Sequence, residues 1–299
     1  METLTLTEKQ LQKLKRLPID AQISNKEANI YQMNSLPKHK VPRDTLFKHL
    51  HILDKESFAN KLFTVSMLSD YEAELNIKEL VIPKELVSIN GKAVGFTIPE
   101  IKNATNLGII LHDDDIPMTR KLELLKKVGE LLSKVQKLEK YGIHFYFSDL
   151  HEYNFLVDNE TDELYAIDLD SAALTSDYPQ SSFYMISNQN LGYSPNKYKS
   201  NVFGITYPNH NTDLLCYNMM VIDTIAAYRI SSLPSEEYYD YLAYLKELGF
   251  GQNILDAFLS VYTNGENKNV SEFFDEIPSD ILVRARYNVY KALNHKNKR

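Results

Sequence analysis

The sequence predicts an α+β fold in two parts, a small β-rich part that holds one helix and a larger, mainly helical part. In the first hundred residues, short runs alternate apolar and polar residues, and an Asn-Gly pair joins two of these runs. After Pro99, apolar residues recur at helical spacing through most of the chain. The 299 residues are enough for two domains of about 150 residues. We expect an N-terminal helical extension over 1–20, a first domain over 21–98 and a second over 99–299.

The composition is that of a globular chain in a reducing compartment. It is 43% hydrophobic and 24% charged, which provides enough apolar material for a sizeable core. The net charge of −7 argues against a general nucleic-acid binder, which needs a basic face. The single cysteine, Cys216, excludes an internal disulfide and a cysteine-based zinc cluster. There is no signal-peptide pattern and no apolar run of ~18–20 residues, so we expect a cytoplasmic protein without a membrane partner.

Two helices and two strands are predicted before the hairpin that contains the Asn-Gly pair. Leucines at helical spacing predict a helix over 5–17, which Pro18 ends. Alternation of apolar and polar residues predicts strands over 29–33 and 46–50. A second helical pattern covers 55–75.

Asn90-Gly91 marks the clearest hairpin of the chain. The flanking runs, 86–89 and 93–96, are rich in apolar and β-branched residues. A type I′ turn needs positive φ at both central residues, and Asn and Gly adopt it readily. We therefore expect two antiparallel strands here.

Helices dominate the predicted second part. One is expected over 119–140 with Thr119 as N-cap, and a nearly continuous apolar run predicts a buried helix over 214–228. Further helices are expected over 235–249 and 280–293. The buried stripe of the helix over 119–140 is formed by Leu122, Leu125, Val128, Leu132, Val135 and Leu138.

A second hairpin and a long polar segment interrupt these helices. Residues 155–157 and 164–167 are apolar runs around a polar turn over 158–163, which predicts paired strands. Residues 171–212 are polar and aromatic without periodicity. A segment of this length without its own pattern is functional or mobile.

Three polar side chains flank the second hairpin. Asp149 and Asn154 precede it, and Asp168 follows it directly. Because the hairpin returns on itself, we expect Asp168 to come back toward Asn154. Amide and carboxylate oxygens are hard ligands that suit Mg²⁺, which keeps few protein ligands. An aspartate five residues before the asparagine is placed to accept a hydroxyl proton.

These residues carry a resemblance to a known family. Asp149-Leu-x-x-x-Asn154 resembles the catalytic loop of protein kinases, and Asp168 lies where that family has its second metal-binding aspartate. The run Ser148–Asn154 is also similar to the loop of aminoglycoside and other small-molecule phosphotransferases. Asp213 resembles the aspartate that braces the catalytic loop in protein kinases. Over about 21–260 the chain resembles the protein-kinase-like superfamily, in particular bacterial or phage-type Ser/Thr kinases, which implies a bilobal kinase-like fold.

The resemblance implies a role for each of these residues. Asp149 would be the catalytic base, and Asn154 and Asp168 would hold Mg²⁺, with Asp170 assisting. Lys48 would be the strand lysine that binds the α- and β-phosphates of ATP and acts in catalysis. The implied cofactor-binding residues are Lys48, Leu46, Asn25, Ala28, Ile30, Pro99, Ile101, Asn154 and Asp168. Among these, Leu46 would lie against adenine, which it reaches because alternation puts it on the strand face of Lys48, and Pro99 and Ile101 would form the hinge.

The sequence departs from the family pattern at several positions. The expected phosphate-covering loop, 24–31, contains no glycine. Phe147-Ser148 replaces the usual His-Arg, and Leu169-Asp170 replaces the usual Phe-Gly. Which glutamate of the helix pairs with the strand lysine stays open. Its position is expected near Met67, with Glu56, Glu72 and Glu74 as alternatives.

The expected activity is transfer of the γ-phosphoryl group of ATP to a hydroxyl, more on protein Ser/Thr than on a small molecule. The preference for protein rests on Asp213 and its helix, and on 171–212 as a peptide platform. The first alternative is a pseudokinase that binds nucleotide or a partner without turnover, which the glycine-free loop favours. The second alternative is a small-molecule kinase acting on a sugar or an aminoglycoside-like alcohol, which Asp149-Leu150-His151 favours.

Overall fold

The chain folds as predicted into an α+β protein with a mixed six-stranded sheet. It divides into two compact units, Met1–Thr105 with Leu156–Phe183, and Asn106–Phe155 with Tyr184–Arg299. The domain division expected from sequence stays a prediction. The computed structural model describes residues 1–18, 28–37, 41–42, 44–51, 54–176, 209–262 and 266–297.

The regular elements of the described residues follow in chain order. The strands are β1 (Glu2–Leu6), β2 (Lys15–Arg16), β3 (Ala28–Gln32), β4 (Thr45–Leu50), β5 (Glu85–Ile89), β6 (Lys92–Pro99), β7 (Ala104–Asn106), β8 (Ile143–Tyr146), β9 (Phe155–Asp158), β10 (Leu164–Ala166) and β11 (Ala173–Ser176). The α-helices are α1 (Glu8–Leu11), α2 (Lys55–Asp70), α3 (Glu72–Leu75), α4 (Leu107–His112), α5 (Met118–Gln136), α6 (His210–Ala226), α7 (Ser235–Glu247), α8 (Gln252–Leu259) and α9 (Tyr287–Asn297).

The six-stranded sheet of the first unit has the strand order β1-β5-β6-β4-β3-β2. β1 runs parallel to β5, and the other pairs are antiparallel. The Asn90-Gly91 hairpin between β5 and β6 is confirmed, with φ of 50° and 74° at the two turn residues. The predicted strands over 29–33 and 46–50 are also confirmed, as β3 and β4.

The N-terminal segment differs from the predicted helix over 5–17. The helix there is limited to α1, which begins after Thr7, whose hydroxyl accepts a hydrogen bond from the Gln10 amide at 3.2 Å. The residues before and after it form β1 and β2. Pairing of β1 with β5 buries Leu4 and Leu6 in the core, and β2 pairs with β3. Strand pairing therefore takes up both ends of the predicted helix and overrides its helical spacing.

Each face of the sheet is covered by its own core. Phe47 points to a cluster that includes Leu6, Met33 and Val87. Leu50, on the other face of β4, belongs to the opposite cluster with Ala28, Phe96 and Val65 of α2. Helix α2 begins where predicted, and α3 continues it after a break at Tyr71. The β9–β10 hairpin is confirmed within the first unit, in a three-stranded sheet of order β10-β9-β7.

In the second unit, α5 and α6 pack against each other. The stripe predicted for α5 is buried throughout, but its N-cap is Pro117 and not Thr119. The helix therefore begins without a side-chain cap, one residue before the predicted start. Gly142, with φ of 75°, ends the short 3-10 turn that follows it. Helix α6 is buried nearly all round, as its apolar composition predicts.

The last predicted helix, 280–293, begins later than expected. Helix α9 starts at Tyr287. The carbonyls of Arg284 and Ala285 accept hydrogen bonds from the hydroxyls of Tyr244 and Tyr241 of α7, and so those carbonyls are engaged by α7 instead of by a regular helix. Residues 177–208, most of the expected peptide platform, lie outside the described residues. No helix among the described residues is long and apolar enough to cross a membrane.

Candidate functional site

Lys48 is a buried lysine in the middle of β4. Only 4% of the residue is exposed. It lies directly opposite Ile30 of β3 on one side and Phe96 of β6 on the other, and its Nζ is 5.7 Å from the centre of the Phe96 ring. An ammonium at such a position is costly unless carboxylates or other acceptors meet it.

Two carboxylates meet this ammonium. The Lys48 Nζ donates hydrogen bonds to Oδ1 of Asp168 and, at 2.6 Å, to Oδ1 of Asp170. Both aspartates follow β10 in the turn over Asp168–Ser171, so one short segment supplies both charges. The two partners differ in access to solvent, because the side chain of Asp168 is 35% exposed and that of Asp170 only 1%. The structure thus brings Lys48 and Asp168, two of the predicted site residues, together in the first unit.

A second lysine completes the cluster. Lys61 of α2 is also buried, and its Nζ donates to Oδ2 of Asp170 at 2.9 Å and to the Ser171 hydroxyl at 3.0 Å. Asp170 therefore joins the two ammonium groups, one from a strand and one from a helix. We call Lys48, Lys61, Asp168 and Asp170 the buried charge cluster.

The pKa values in the buried charge cluster follow from burial and from these pairings. Burial by itself would lower the pKa of Lys48, but the carboxylates of Asp168 and Asp170 outweigh the effect of burial, so the pKa of Lys48 is raised. Burial would raise the pKa of Asp170, but the two ammonium groups hold it well below its usual range. Burial raises the pKa of Asp168, and the neighbouring Asp170 adds to this against the attraction of Lys48. Asp170 and Lys48 are consequently ionised at neutral pH.

The sequence left open which glutamate pairs Lys48. Among the described residues, the carboxylates within ion-pair distance of the Lys48 ammonium are those of Asp168 and Asp170. Glu72, one of the alternatives, pairs with Lys84 at the surface. The helix residue that reaches the cluster is a lysine, Lys61, and it pairs with Asp170, which also accepts from Lys48.

The other predicted cofactor-binding residues of the first unit lie on β3, β4 and β6. The register pairs Ala28 with Leu50 and Leu46 with Gln32, so Ala28, Ile30, Leu46 and Lys48 share one face of the sheet. Pro99 is the last residue of β6, and Ile101 follows it. Asn25 lies outside the described residues.

In the second unit, Asp149 follows a sharp turn after β8. Ser148 is buried with φ of 62°, a conformation that a serine rarely adopts. The Asp149 amide donates to the Phe147 carbonyl at 2.7 Å, which closes a three-residue turn around Ser148. Strained backbone of this kind persists where the surrounding structure enforces it and is concentrated at functional sites.

Asp213, in the first turn of α6, enforces this turn. Its two carboxylate oxygens accept hydrogen bonds from the amides of Phe147, at 2.8 Å, and Ser148, at 3.2 Å. Burial raises the pKa of Asp213 to about 7, although these two amide donors lower it. The contact joins α6 to the loop that carries Asp149.

Asn154 and His151 complete this loop. The Asn154 amide nitrogen donates to the Asp149 carbonyl at 2.8 Å, which leaves the Asn154 amide oxygen as an acceptor for another group. The Nδ1 of His151 accepts from the Tyr153 amide at 3.1 Å, so a neutral His151 carries its proton on Nε2, 3.7 Å from Oδ2 of Asp149. That Asn154 and Asp168 converge on one metal stays a prediction.

Comparison with known families adds nothing to these contacts. No protein-family model matches the chain, and a search of curated proteins finds no significant match. Among the described residues, no group of three or more His, Cys, Asp and Glu side chains is arranged to hold a metal ion. A magnesium site with two protein ligands is smaller than such a group, so this finding does not bear on Asn154 and Asp168.

Proposed function

We propose that this protein is an ATP- and Mg²⁺-dependent phosphotransferase with a kinase-like bilobal fold, which moves a γ-phosphoryl group to a hydroxyl, most simply on protein Ser/Thr. The observation that carries the proposal is the ion pair of Lys48 with Asp168. These residues are 120 positions apart in the sequence. Their pairing places a buried ammonium beside a partly exposed carboxylate, which is the combination needed to bind phosphate and a divalent cation together.

The donor chemistry supports Mg²⁺ as the cation. Asp168 offers a carboxylate that is partly open to solvent, and Asn154 offers an amide oxygen because its nitrogen is engaged by the Asp149 carbonyl. Both are hard oxygen ligands, and Mg²⁺ leaves its other positions to phosphates and water. When bound, the ion would neutralise charge on the transferring phosphate.

Asp149 is the residue proposed to take the proton of the acceptor hydroxyl. Its side chain is partly exposed, and the turn at Ser148 fixes its backbone. Asp213 holds that turn from α6, so the position of Asp149 depends on a buried contact and not on a mobile loop. Catalysis of this kind comes mainly from positioning and charge neutralisation.

A pseudokinase is the second candidate, and Lys61 is the observation that favours it. Lys48 is already engaged by two carboxylates, and the helix that approaches it contributes a second ammonium. A lysine held in this way has to exchange Asp168 for phosphate before it can act on a nucleotide. If that exchange does not occur, the protein would bind a partner or nucleotide without turnover.

Transfer of label from γ-labelled ATP tests the enzymatic proposal. The purified protein is incubated with Mg²⁺, either alone to detect autophosphorylation or with generic protein substrates or a panel of small alcohols. The acceptor that receives the label shows which class of substrate the protein uses. We expect transfer that Asp149→Asn and Asp168→Asn abolish and that Asp240→Asn, a change at an exposed helix position, leaves intact. Absence of transfer to every acceptor, or full activity in Asp149→Asn, would refute the proposal.

Thermal unfolding with ATP separates the enzyme from the pseudokinase. A working site predicts stabilisation by ATP that requires Mg²⁺ and is lost in Asp168→Asn. Stabilisation without turnover favours the pseudokinase. No stabilisation by any nucleotide would remove the enzyme and leave only the form of the pseudokinase that binds a partner.

A further inference from the structure

A polar cavity of about 280 Å³ lies within the second unit. Its wall is formed by α4, the residues after α4, α5, the loop before β9 and the end of α6. Its volume corresponds to about nine water molecules, which suits a ligand of a few carbon atoms. The basic and acidic residues in its lining are Lys121, Arg229, His112, Asp114, Glu152 and Asp223.

Lys121 is the most deeply buried cation in this lining. Only 3% of the residue is exposed. Its ammonium donates one hydrogen bond, to the Leu111 carbonyl at 2.8 Å. In the described part of the chain no carboxylate lies within 4.0 Å of its Nζ, although an ammonium has three hydrogens to donate.

The carboxylates of the lining already have partners. Both oxygens of Asp223 accept from Ser231, one from the amide at 2.8 Å and one from the hydroxyl at 2.7 Å. Glu152 lies 3.4 Å from Nε2 of His112, and the exposed Asp114 lies 3.3 Å from Arg286. These acids are therefore paired with groups other than Lys121, which lines the same cavity.

The environment of Lys121 is unfavourable for a cation that has no ligand. Burial lowers the pKa of Lys121, and the nearby Arg286 lowers it further against the attraction of Asp114 and Asp113. A negatively charged ligand would compensate this cost, because a charge-assisted hydrogen bond is strongest where water is excluded. Arg229, an exposed residue of the same lining, adds a second positive charge.

We propose that this cavity binds a small organic anion whose carboxylate or phosphate group pairs with Lys121. The site lies entirely within the second unit and uses neither Lys48 nor Asp168, so it is independent of the proposed phosphotransferase activity. The engaged acids of the lining exclude large polyanions and favour a ligand with hydroxyl groups, which can donate to Glu152 or Asp114.

Ligand binding by Lys121 and a purely structural function of Lys121 predict opposite effects of its replacement on stability. The Leu111 carbonyl belongs to the last turn of α4, and a lysine that only caps this helix end would stabilise the fold. In that case Lys121→Met destabilises the protein. If Lys121 is kept as a ligand-binding charge, its replacement by an apolar side chain of similar length raises the melting temperature of the protein without ligand.

The test combines melting temperature with ligand binding. The full-length protein is titrated with inorganic phosphate, glycerol 3-phosphate and glycerate, and with glycerol as the uncharged probe. We expect stabilisation by at least one anion and none by glycerol, and the comparison of glycerate with glycerol 3-phosphate identifies the preferred head group. Binding should weaken at least about tenfold in Lys121→Met.

Two variants serve as controls. Lys126→Met changes an exposed lysine of the same helix and should retain binding. Lys48→Met should also retain it, which separates this cavity from any phosphate bound in the buried charge cluster. The proposal fails if no anion stabilises the protein, if Lys121→Met binds as tightly as the original chain, or if Lys121→Met lowers the melting temperature without ligand.

Discussion

The Nζ of Lys61 lies 2.9 Å from Oδ2 of Asp170, and this ion pair joins helix α2 to the turn that follows β10. Both side chains are almost fully buried. Because Asp170 also accepts from Lys48, the helix acts on the strand lysine through a carboxylate. The position of α2 and the position of Lys48 are therefore linked.

Lys61→Met should destabilise the protein. The change leaves a buried carboxylate with one ammonium in place of two, and breaking a buried ion pair costs about 3 kcal/mol of unfolding free energy. Urea denaturation measures the loss. The matched control is Lys78→Met, which breaks an exposed pair with Glu163 and should change stability little. Equal losses in the two variants would show that the Lys61–Asp170 pair contributes no more than a surface contact.

Asp213→Asn should loosen the loop that carries Asp149. An amide has one acceptor oxygen, so one of the Phe147 and Ser148 amides loses its partner and faces a donor. An unsatisfied buried donor costs about 1–3 kcal/mol. Hydrogen exchange at Phe147 or at Ser148 should accelerate, and phosphoryl transfer should lose turnover more than affinity for ATP. Asp280→Asn, a change at an exposed residue, is the control, and unchanged exchange at both Phe147 and Ser148 in Asp213→Asn would contradict the interpretation.

Elements with strong local signals were predictable from the sequence. The Asn90-Gly91 turn is fixed by the φ values that its two residues tolerate, and the buried α6 by an apolar run with no polar face. The helix expected over 5–17 was wrong because Thr5 and Leu6 pair with β5 and Lys15 and Arg16 pair with β3, and no local pattern encodes these pairings. The late start of α9 has a similar cause, since distant tyrosines occupy the carbonyls of Arg284 and Ala285.

The candidate site was predictable only where the position of a residue along a strand or hairpin determines where its side chain lies. Alternation along β4 put Lys48 on a face with Leu46, and the hairpin return placed Asp168 after β10. Asp170 was expected only to assist, and Lys61 was not singled out. Their pairing links residues 109 positions apart, so the signal lies in tertiary contact and not in the local sequence.

Asp223 should make stability depend on pH. Burial raises its pKa to about 7, against the hydrogen bonds from Ser231. An aspartate in the unfolded chain has a pKa near 3.9. From about pH 4 to 7 the folded protein keeps a proton that the unfolded chain has released, so the contribution of Asp223 to the free energy of unfolding decreases as pH rises and levels off above pH 7.

Asp223→Asn removes this dependence and keeps the shape of the contact with Ser231. Urea denaturation between pH 4.5 and 7.5 measures how the free energy of unfolding changes with pH. Its decrease with rising pH should be less steep in the variant, by at most about 1.4 kcal/mol per pH unit. Other ionisable groups contribute equally to both proteins and cancel in the difference. Identical slopes would mean that Asp223 is ionised throughout this range.

Gly95→Ala should be strongly destabilising, because the backbone of β4 leaves no room for a Cβ at this residue of β6. A Cβ at position 95 would lie 2.0 Å from the Lys48 carbonyl oxygen, which is backbone and cannot rotate away. Forcing the strands apart costs about 3 kcal/mol or more and shifts Lys48 relative to its carboxylate partners. Urea denaturation gives the stability, and thermal shift with ATP and Mg²⁺ gives the effect on the site.

Gly91→Ala separates this contact from a general effect of removing glycine. Position 91 has open space around it, so the cost there is only that of φ near 74°, about 1 kcal/mol. Gly95→Ala should therefore lose much more stability than Gly91→Ala, although both lie in the same hairpin. A similar loss at both positions would show that β4 and β6 tolerate separation at Lys48, and the buried charge cluster would then not depend on the close packing of these strands.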